Sequence, residues 1–262
     1  MPDLADEYRR LRAPIVLAHG LLGFDRLRLL GVPTVSYFRL IPDYLRRLGN
    51  EVVQTRVPAT GSIEVRARAL DAELTRLLGT RPCHLLGHSM GGLDARYFIT
   101  HLGGAERVRS LTTLGTPHRG TIIADLFRRS SGGRRLLGLA RRFGLSDAPA
   151  RDLGTEHMAR FNDQTPDDPR VRYFSVAGVK PVGQMDLLLR PSARILQRAA
   201  GPNDGLVSVT SAAWGEASLV WPCDHVDMVG WPTPMEAVLR RAPDLRSRYA
   251  DVIVRLAQAE RE

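Results

Sequence analysis

Residues 84–92, "HLLGHSMGG", carry an apolar run into a serine enclosed by glycines. Gly87-His88-Ser89-Met90-Gly91 fits G-x-S-x-G, in which a tight strand-to-helix turn presents a hydroxyl for attack on an acyl carbon. Such a turn strains the serine backbone, so the residues two positions away on either side must be nearly free of side chain. The context this chemistry needs is present. An apolar strand pattern precedes Ser89, and "GLDARYFITHL" continues as a helical one. A helix starting there turns the positive end of its dipole toward any negative charge that develops nearby.

A serine hydroxyl is a weak nucleophile until a histidine, itself oriented by a carboxylate, takes its proton. Four histidines lie downstream: His101, His118, His157 and His225. His101 falls at the end of the helix after the serine, where a solvated or capping role is expected. His118, in "LGTPHRG", follows a strand but precedes every good acid, so a structural hydrogen bond is its plainer reading. His157 sits in a polar helical stretch. His225, in "WPCDHVDMVG", lies in a late loop able to reach back over the serine, and it is the expected base. For the acid, "GPNDGLVSV" sets Asp204 in a turn; Asn-Asp-Gly also suits an ordinary β-turn, and both can hold at once. Asp224, adjacent to His225, is badly placed to orient it, and Asp227 needs another explanation. An oxyanion hole requires two backbone amides. Met90 supplies one, and Leu21, after His19-Gly20 in "LAHGLLG", is expected to supply the other. His19 is expected to tie down that loop.

These residues need a sheet to hold them. Short β-branched runs at 14–20, 51–57, 82–89, 108–116, 171–179 and 218–222 alternate with helical patterns at 62–79, 89–102 and 243–259. That alternation predicts a mostly parallel sheet with helices on both faces. Gly79 and Gly103 are placed to end two of the helices. Residues 119–163 break the rhythm, with Leu136, Leu137, Ala140 and Phe143 on one helical face. They read as a cap inserted above a single domain spanning 1–262, either a lid that opens or a fixed cover.

Composition narrows the partners. The apolar and charged fractions, 44% and 25%, are those of an ordinary globule. The net charge is +9, yet Lys180 is the one lysine, and the arginines are scattered through stretches such as "RARALDAELTRLL", as expected on solvated helix faces. No motif accompanies them to support nucleic-acid binding, although a basic surface favours anionic interfaces. Cys83 is expected to be a buried free thiol; its pairing with Cys223 is left open by sequence. "MPDLADEYRRLRAP" lacks an apolar core, so no secretory signal is expected, and no stretch is long enough to span a membrane. The expectation is a cytoplasmic protein, one exported without a signal, or one whose leader has been removed.

Taken in order, "PIVLAHGLLGFD", "YFRLIPDYLRRLG", "HLLGHSMGGLDARY", "SLTTLGTPHRGT", "NDGLVSV" and "DHVDMV" resemble the true bacterial lipases of the Pseudomonas, Burkholderia and Proteus type. The resemblance spans residues 14 to about 235. It implies an α/β-hydrolase fold, a triad of Ser89, Asp204 and His225, and hydrolysis of triacylglycerols or other carboxylic esters at a lipid–water interface. It also implies a structural Ca²⁺ steadying the histidine loop, held by Asp227, the carbonyls of Trp231 and Met235, and a further aspartate for which Asp186 is the best match. Family members have a cis peptide after the first of those carbonyls, where this chain carries Pro232. Two departures stand out: the chain is somewhat shorter than the family's, and Met90 replaces the usual Gln or His, a position where only the backbone is required. The same triad would also serve a thioesterase or an acyltransferase. A catalytically silent binding protein and a nucleic-acid binder are the rivals from other classes. The oligomeric state is open, with a monomer favoured.

Overall fold

Along residues 15–18 the side chains alternate between two apolar layers, and that alternation sets the architecture. Ile15 and Leu17 enter one hydrophobic cluster, Val16 and Ala18 another, as the two-residue period of a strand requires. The structure, a computed structural model, describes residues 10–21, 26–29, 32–142, 146–231 and 245–261, with side chains left aside at 26–29, 32–36 and 140. Strand β1 (Ile15–Ala18) is followed by an antiparallel hairpin of β2 (Arg26–Leu29) and β3 (Val32–Ser36), which forms a separate two-stranded sheet. The main sheet adds β4 (Val52–Gln54), β5 (Cys83–His88), β6 (Val108–Leu114), β7 (Arg172–Gly178) and β8 (Ala217–Trp221) in the order β4-β1-β5-β6-β7-β8, with every pair parallel.

All six predicted strands are present. Their buried runs are nearly continuous at the centre, where β5 is buried at every position, as a parallel strand covered on both faces must be. Helices α2 (Ile63–Leu78) and α3 (Met90–His101) cover one face, where Leu70, Leu74, Phe98 and Ile99 meet Val16, Leu85 and Leu111. The other face is covered by α1 (Ile41–Arg47) and α10 (Leu245–Ala259), through Leu45, Tyr249, Ile253 and Leu256. Each fully buried side chain of this kind contributes roughly 1.5–3 kcal/mol, so the two layers hold the sheet rigid. Ser62 caps α2 by accepting a hydrogen bond from the Val65 amide, and Gly79, at φ 60°, ends the helix as expected.

The insertion divides in two. Helices α4 (Ile122–Arg129) and α5 (Ser131–Arg142) lie at the periphery, and α4 has no buried residue. After α6 (Ala148–Asp152), α7 (Thr155–Gln164) sets Met158 and Phe161 against Met90 and Leu93 of α3, as part of the core. Leu136 is exposed while Leu137 faces inward over a cavity; Phe143 lies outside the described residues. Helices α8 (Arg190–Ala199) and α9 (Val209–Ala212) connect β7 to β8.

Chain order reverses beside β1. The chain steps outward to β4, then returns to β5 on the other side of β1 and proceeds to β8. In parallel sheets the crevice at the carboxyl ends of strands flanking such a reversal is the natural binding site. Here those ends lead into Gly20-Leu21 and into Ser89. Cys83 and Cys223 are both buried and free, so they do not pair. Among the described residues no helix is long and apolar enough to cross a membrane.

Candidate active site

Ser89 adopts φ 54° and ψ −128°, one of two described non-glycine residues with positive φ. A residue that carries a Cβ holds that conformation only where its surroundings enforce it. Two glycines make room. A Cβ at Gly87 would lie 2.7 Å from the Gly92 Cα, and one at Gly91 would lie 2.6 Å from the Ala18 carbonyl oxygen. The expected need for bare neighbours is therefore a matter of backbone against backbone, with no side chain free to yield. The Ser89 amide donates to the Leu114 carbonyl at 2.8 Å, and the Thr116 hydroxyl donates to the Ser89 carbonyl at 2.8 Å. Both bonds fix the turn.

Because Ala18 pairs with Gly87, residues 19–21 and 88–90 leave the sheet side by side. A Cβ on Gly20 would meet the Ser89 Cβ at 2.8 Å. Leu21 lines the same cavity as Ser89, and Met90 opens α3 directly after it. His19 plays the structural part expected of it: its Nδ1–H donates to the Gly20 carbonyl at 2.9 Å and its Nε2 accepts from the Val57 amide at 3.4 Å.

His225 and Asp204 meet. Asp204 Oδ2 accepts from His225 Nδ1 at 2.8 Å, with both residues buried. Asp204 Oδ1 takes the amides of Leu206 and Val207 at 2.9 and 2.7 Å, so the turn geometry and the histidine contact coexist in one side chain. The His225 amide also donates to the Asp204 carbonyl at 2.9 Å. Two glycines cradle the pair. A Cβ at Gly115 would reach Asp204 Oδ2 at 2.9 Å and His225 Nδ1 at 3.1 Å, and one at Gly178 would reach the Asp204 Cβ at 2.9 Å. The other histidines stand elsewhere. The His118 ring bonds Thr113 and Arg96 in a buried group, stacked on Trp214. His101 is exposed beside Thr165, and His157 lies near Asp152.

Three supporting residues were not legible from the sequence. His88 Nε2–H donates to the His225 carbonyl at 3.0 Å, and the Tyr37 hydroxyl donates to His88 Nδ1 at 2.7 Å while accepting from the Gly20 amide at 3.3 Å. Burial, helped by the neighbouring His225, holds the His88 pKa well below that of a free imidazole, so the ring is neutral and this tautomer is fixed by its acceptor. The relay joins the glycine loop to the histidine loop. Tyr37→Phe is expected to leave His88 Nδ1 buried and unpaired, at about 1–3 kcal/mol of stability, read by urea denaturation.

Arg66 is the third. Arginines of its stretch were expected on solvated faces, yet Arg66 is fully buried, and so is Arg96. Arg66 pairs with Asp94 at 2.8 Å and donates to the carbonyls of His19 and Gly20 at 2.8 and 3.3 Å. The available signal was its place on the apolar stripe of α2 with Ile63, Leu70 and Leu74.

No family model matches the chain. It is 30% identical to triacylglycerol lipase 2 of Saccharomyces cerevisiae, covering 88% of this chain and 84% of that protein. The chain belongs to the triacylglycerol lipase family. This lipase is also 28% identical to a triacylglycerol lipase of Pseudomonas fragi, over 86% of its own length and 90% of the relative's. Among solved structures, the mature lipase BlEst2 of Bacillus licheniformis superposes with a TM-score of 0.68 at 26% identity, covering 87% and 89% of the two chains. The protein is an ester hydrolase of lipase type with the α/β-hydrolase fold.

In this lipase a cavity of about 600 Å³ opens at Ser89 and His225. Its walls include Ile123 and Phe127 of α4, Leu137 of α5, Leu153 and Val226. The surface is chiefly apolar, as an acyl chain requires.

Among the described residues, the calcium ligands expected from the resemblance do not fit an ion there. Asp227 Oδ2 is taken by Lys180 Nζ at 2.8 Å and by the Asp224 amide at 2.9 Å. Burial, reinforced by the adjacent Asp224 and opposed by Lys180, pushes the Asp227 carboxyl up to about 6. Asp186 turns Oδ1 to the Leu188 amide at 2.9 Å. Trp231 donates its amide to the Val226 carbonyl and its indole N–H to the Tyr37 carbonyl, while Met235 and Pro232 lie outside the described residues. Asp227 Oδ1 remains buried without a partner, and Ca²⁺ takes about six to eight oxygens, whereas the other oxygen of this carboxylate already holds an ammonium and an amide. An ion ligated by Asp227 would also stand beside the Lys180 ammonium and be repelled by it.

Proposed function

We propose that this lipase hydrolyses carboxylic esters of lipids through an acyl-enzyme formed on Ser89. The reading is carried by one observation: the strained Ser89 and the Asp204-oriented imidazole of His225 face one apolar cavity. Ser89 Oγ attacks the acyl carbon as His225 Nε2 takes its proton. The amides of Leu21 and Met90 stabilise the oxyanion. His225 then returns the proton to the leaving alkoxide, which departs as the alcohol. Water, deprotonated by the same imidazole, releases the acid and restores Ser89. Asp204 holds the imidazole in the tautomer that accepts at Nε2.

The apolar walls and the names of the relatives in S. cerevisiae and P. fragi support acylglycerols as substrates. The P. fragi relative also supports kinship with the true bacterial lipases. Helices α4 and α5 form the lid. They wall the cavity on one side and expose Leu126, Leu136 and Leu139 on the other, a face suited to a lipid–water interface.

The test is a substrate panel. Rates on p-nitrophenyl esters, triacylglycerols and acyl-thioesters are measured over short to long acyl chains, below and above the solubility limit of tributyrin. Ester cleavage that exceeds thioester cleavage and rises once droplets form is expected. Thioester preference, or acyl transfer to an added alcohol in place of hydrolysis, would overturn the substrate assignment. Absence of turnover on every substrate would leave a silent binding protein.

A further inference from the structure

Of the 37 lysine and arginine residues only Lys180 is lysine. This chain otherwise uses arginine for every basic position, buried ones such as Arg66 included, so the exception marks a place where arginine does not serve. Lys180 follows β7 and is buried at the foot of the histidine loop. Its Nζ stands 2.8 Å from Asp227 Oδ2 and 3.5 Å from Asp224 Oδ2, with the three side chains 5%, 1% and 0% exposed. A compact ammonium on a flexible stem fits between two carboxylates that a rigid planar guanidinium would force apart.

Those carboxylates are the internal ties of the loop. Asp224 Oδ1 accepts from the amides of Val226 and Asp227 at 3.2 and 3.1 Å, and Asp227 Oδ2 accepts from the Asp224 amide at 2.9 Å. Asp224 Oδ2 also takes the Asp186 amide at 3.0 Å. His225 lies between the two aspartates. Without a cation, two buried carboxylates three residues apart would repel each other and spread the turn that aims the imidazole.

We propose that Lys180 is the resident cation of the histidine loop, a positioning residue that replaces calcium and makes this lipase independent of the metal. The inference rests on His225 being the base. It accounts for the misfit of the expected calcium ligands, because the ammonium already neutralises the aspartate that would have led the set.

The test uses the full chain. Excess EDTA, or excess Ca²⁺ added afterwards, is expected to change neither the Tm nor the kcat of the wild type. With ¹⁵N-lysine labelling, the single side-chain ammonium is expected to give one solvent-protected signal that Ca²⁺ does not displace. Lys180→Met is expected to lower the Tm on the order of 10 °C and kcat about 10- to 100-fold through misplacement of the imidazole, with KM little changed. Active-site titration with a fluorophosphonate separates slow sites from missing ones. Should Lys180→Met fail to fold, Lys180→Met/Asp227→Asn, which removes the stranded charge as well, is expected to fold and to keep the lowered kcat per titrated site.

Loss of activity or Tm on chelation, restored by Ca²⁺, would overturn the proposal. So would a Lys180→Met enzyme with wild-type kcat per titrated site. Failure of the His225 assignment is distinguishable: His225→Ala would then remain active, whereas the chelation, Tm and ¹⁵N readouts do not depend on it.

Discussion

Ser89→Ala is expected to lower kcat on ester substrates by on the order of 10⁶, to a residue of activity from binding and oxyanion contacts alone. The fold should survive. Ser89 holds its turn through backbone atoms, by its amide to Leu114 and its carbonyl to Thr116 and Gly92, and alanine keeps all of these. The strain at φ 54° remains, because alanine has a Cβ as serine does. Only the oxygen that would attack is lost. KM should change little, since the hydroxyl contributes to bond making and scarcely to holding the acyl chain. Steady-state kinetics together with circular dichroism separate this outcome from unfolding. Ester turnover at a tenth of the wild-type rate or more would place the nucleophile elsewhere.

Asp204→Asn is the second large effect, with kcat expected to fall roughly 10⁴-fold. The asparagine can keep its Oδ1 on the amides of Leu206 and Val207, now bonded at 2.9 and 2.7 Å, so the turn persists. Its Nδ2 then faces His225 Nδ1, which must accept instead of donate. The imidazole proton is driven to Nε2, the atom that has to receive the proton of Ser89. Stability is expected to change far less than rate, because the site keeps its shape. The rate deficit should narrow toward high pH, where hydroxide can assist deprotonation of the serine. An undiminished kcat would mean that Asp204 serves only its turn.

Sheet and serine were both legible because their signals are local. Each strand announces itself as an apolar run, and the Ser89 turn requires glycines at fixed short offsets. Asp204 and His225 were legible by elimination, as late acid and late histidine in turn-rich segments. The rest depends on contacts between residues far apart in the chain. Tyr37 meets His88 across 51 positions, and His88 meets the His225 carbonyl across 137. Gly115 and Gly178 look like ordinary loop glycines until the Asp204–His225 pair is seen packed against them. Arg66 resembles its exposed neighbour Arg68 in composition and differs only in which face of α2 it occupies. Lys180 stands out in the sequence as the sole lysine, but its partners at 224 and 227 are visible only where β7 and the histidine loop come together. The resemblance, in turn, supplied a calcium site whose aspartate this chain has committed to that lysine.

Three side chains remote in sequence are held to act as one at the rim of the sheet, and covalent capture tests this most directly. A fluorophosphonate probe is reacted with the wild type, and the adduct is located by peptide mass spectrometry. The expected result is one adduct per chain, on Ser89, absent in Ser89→Ala and formed far more slowly in His225→Ala. An adduct on another residue, or labelling of Ser89 at the wild-type rate once His225 has been removed, would contradict it.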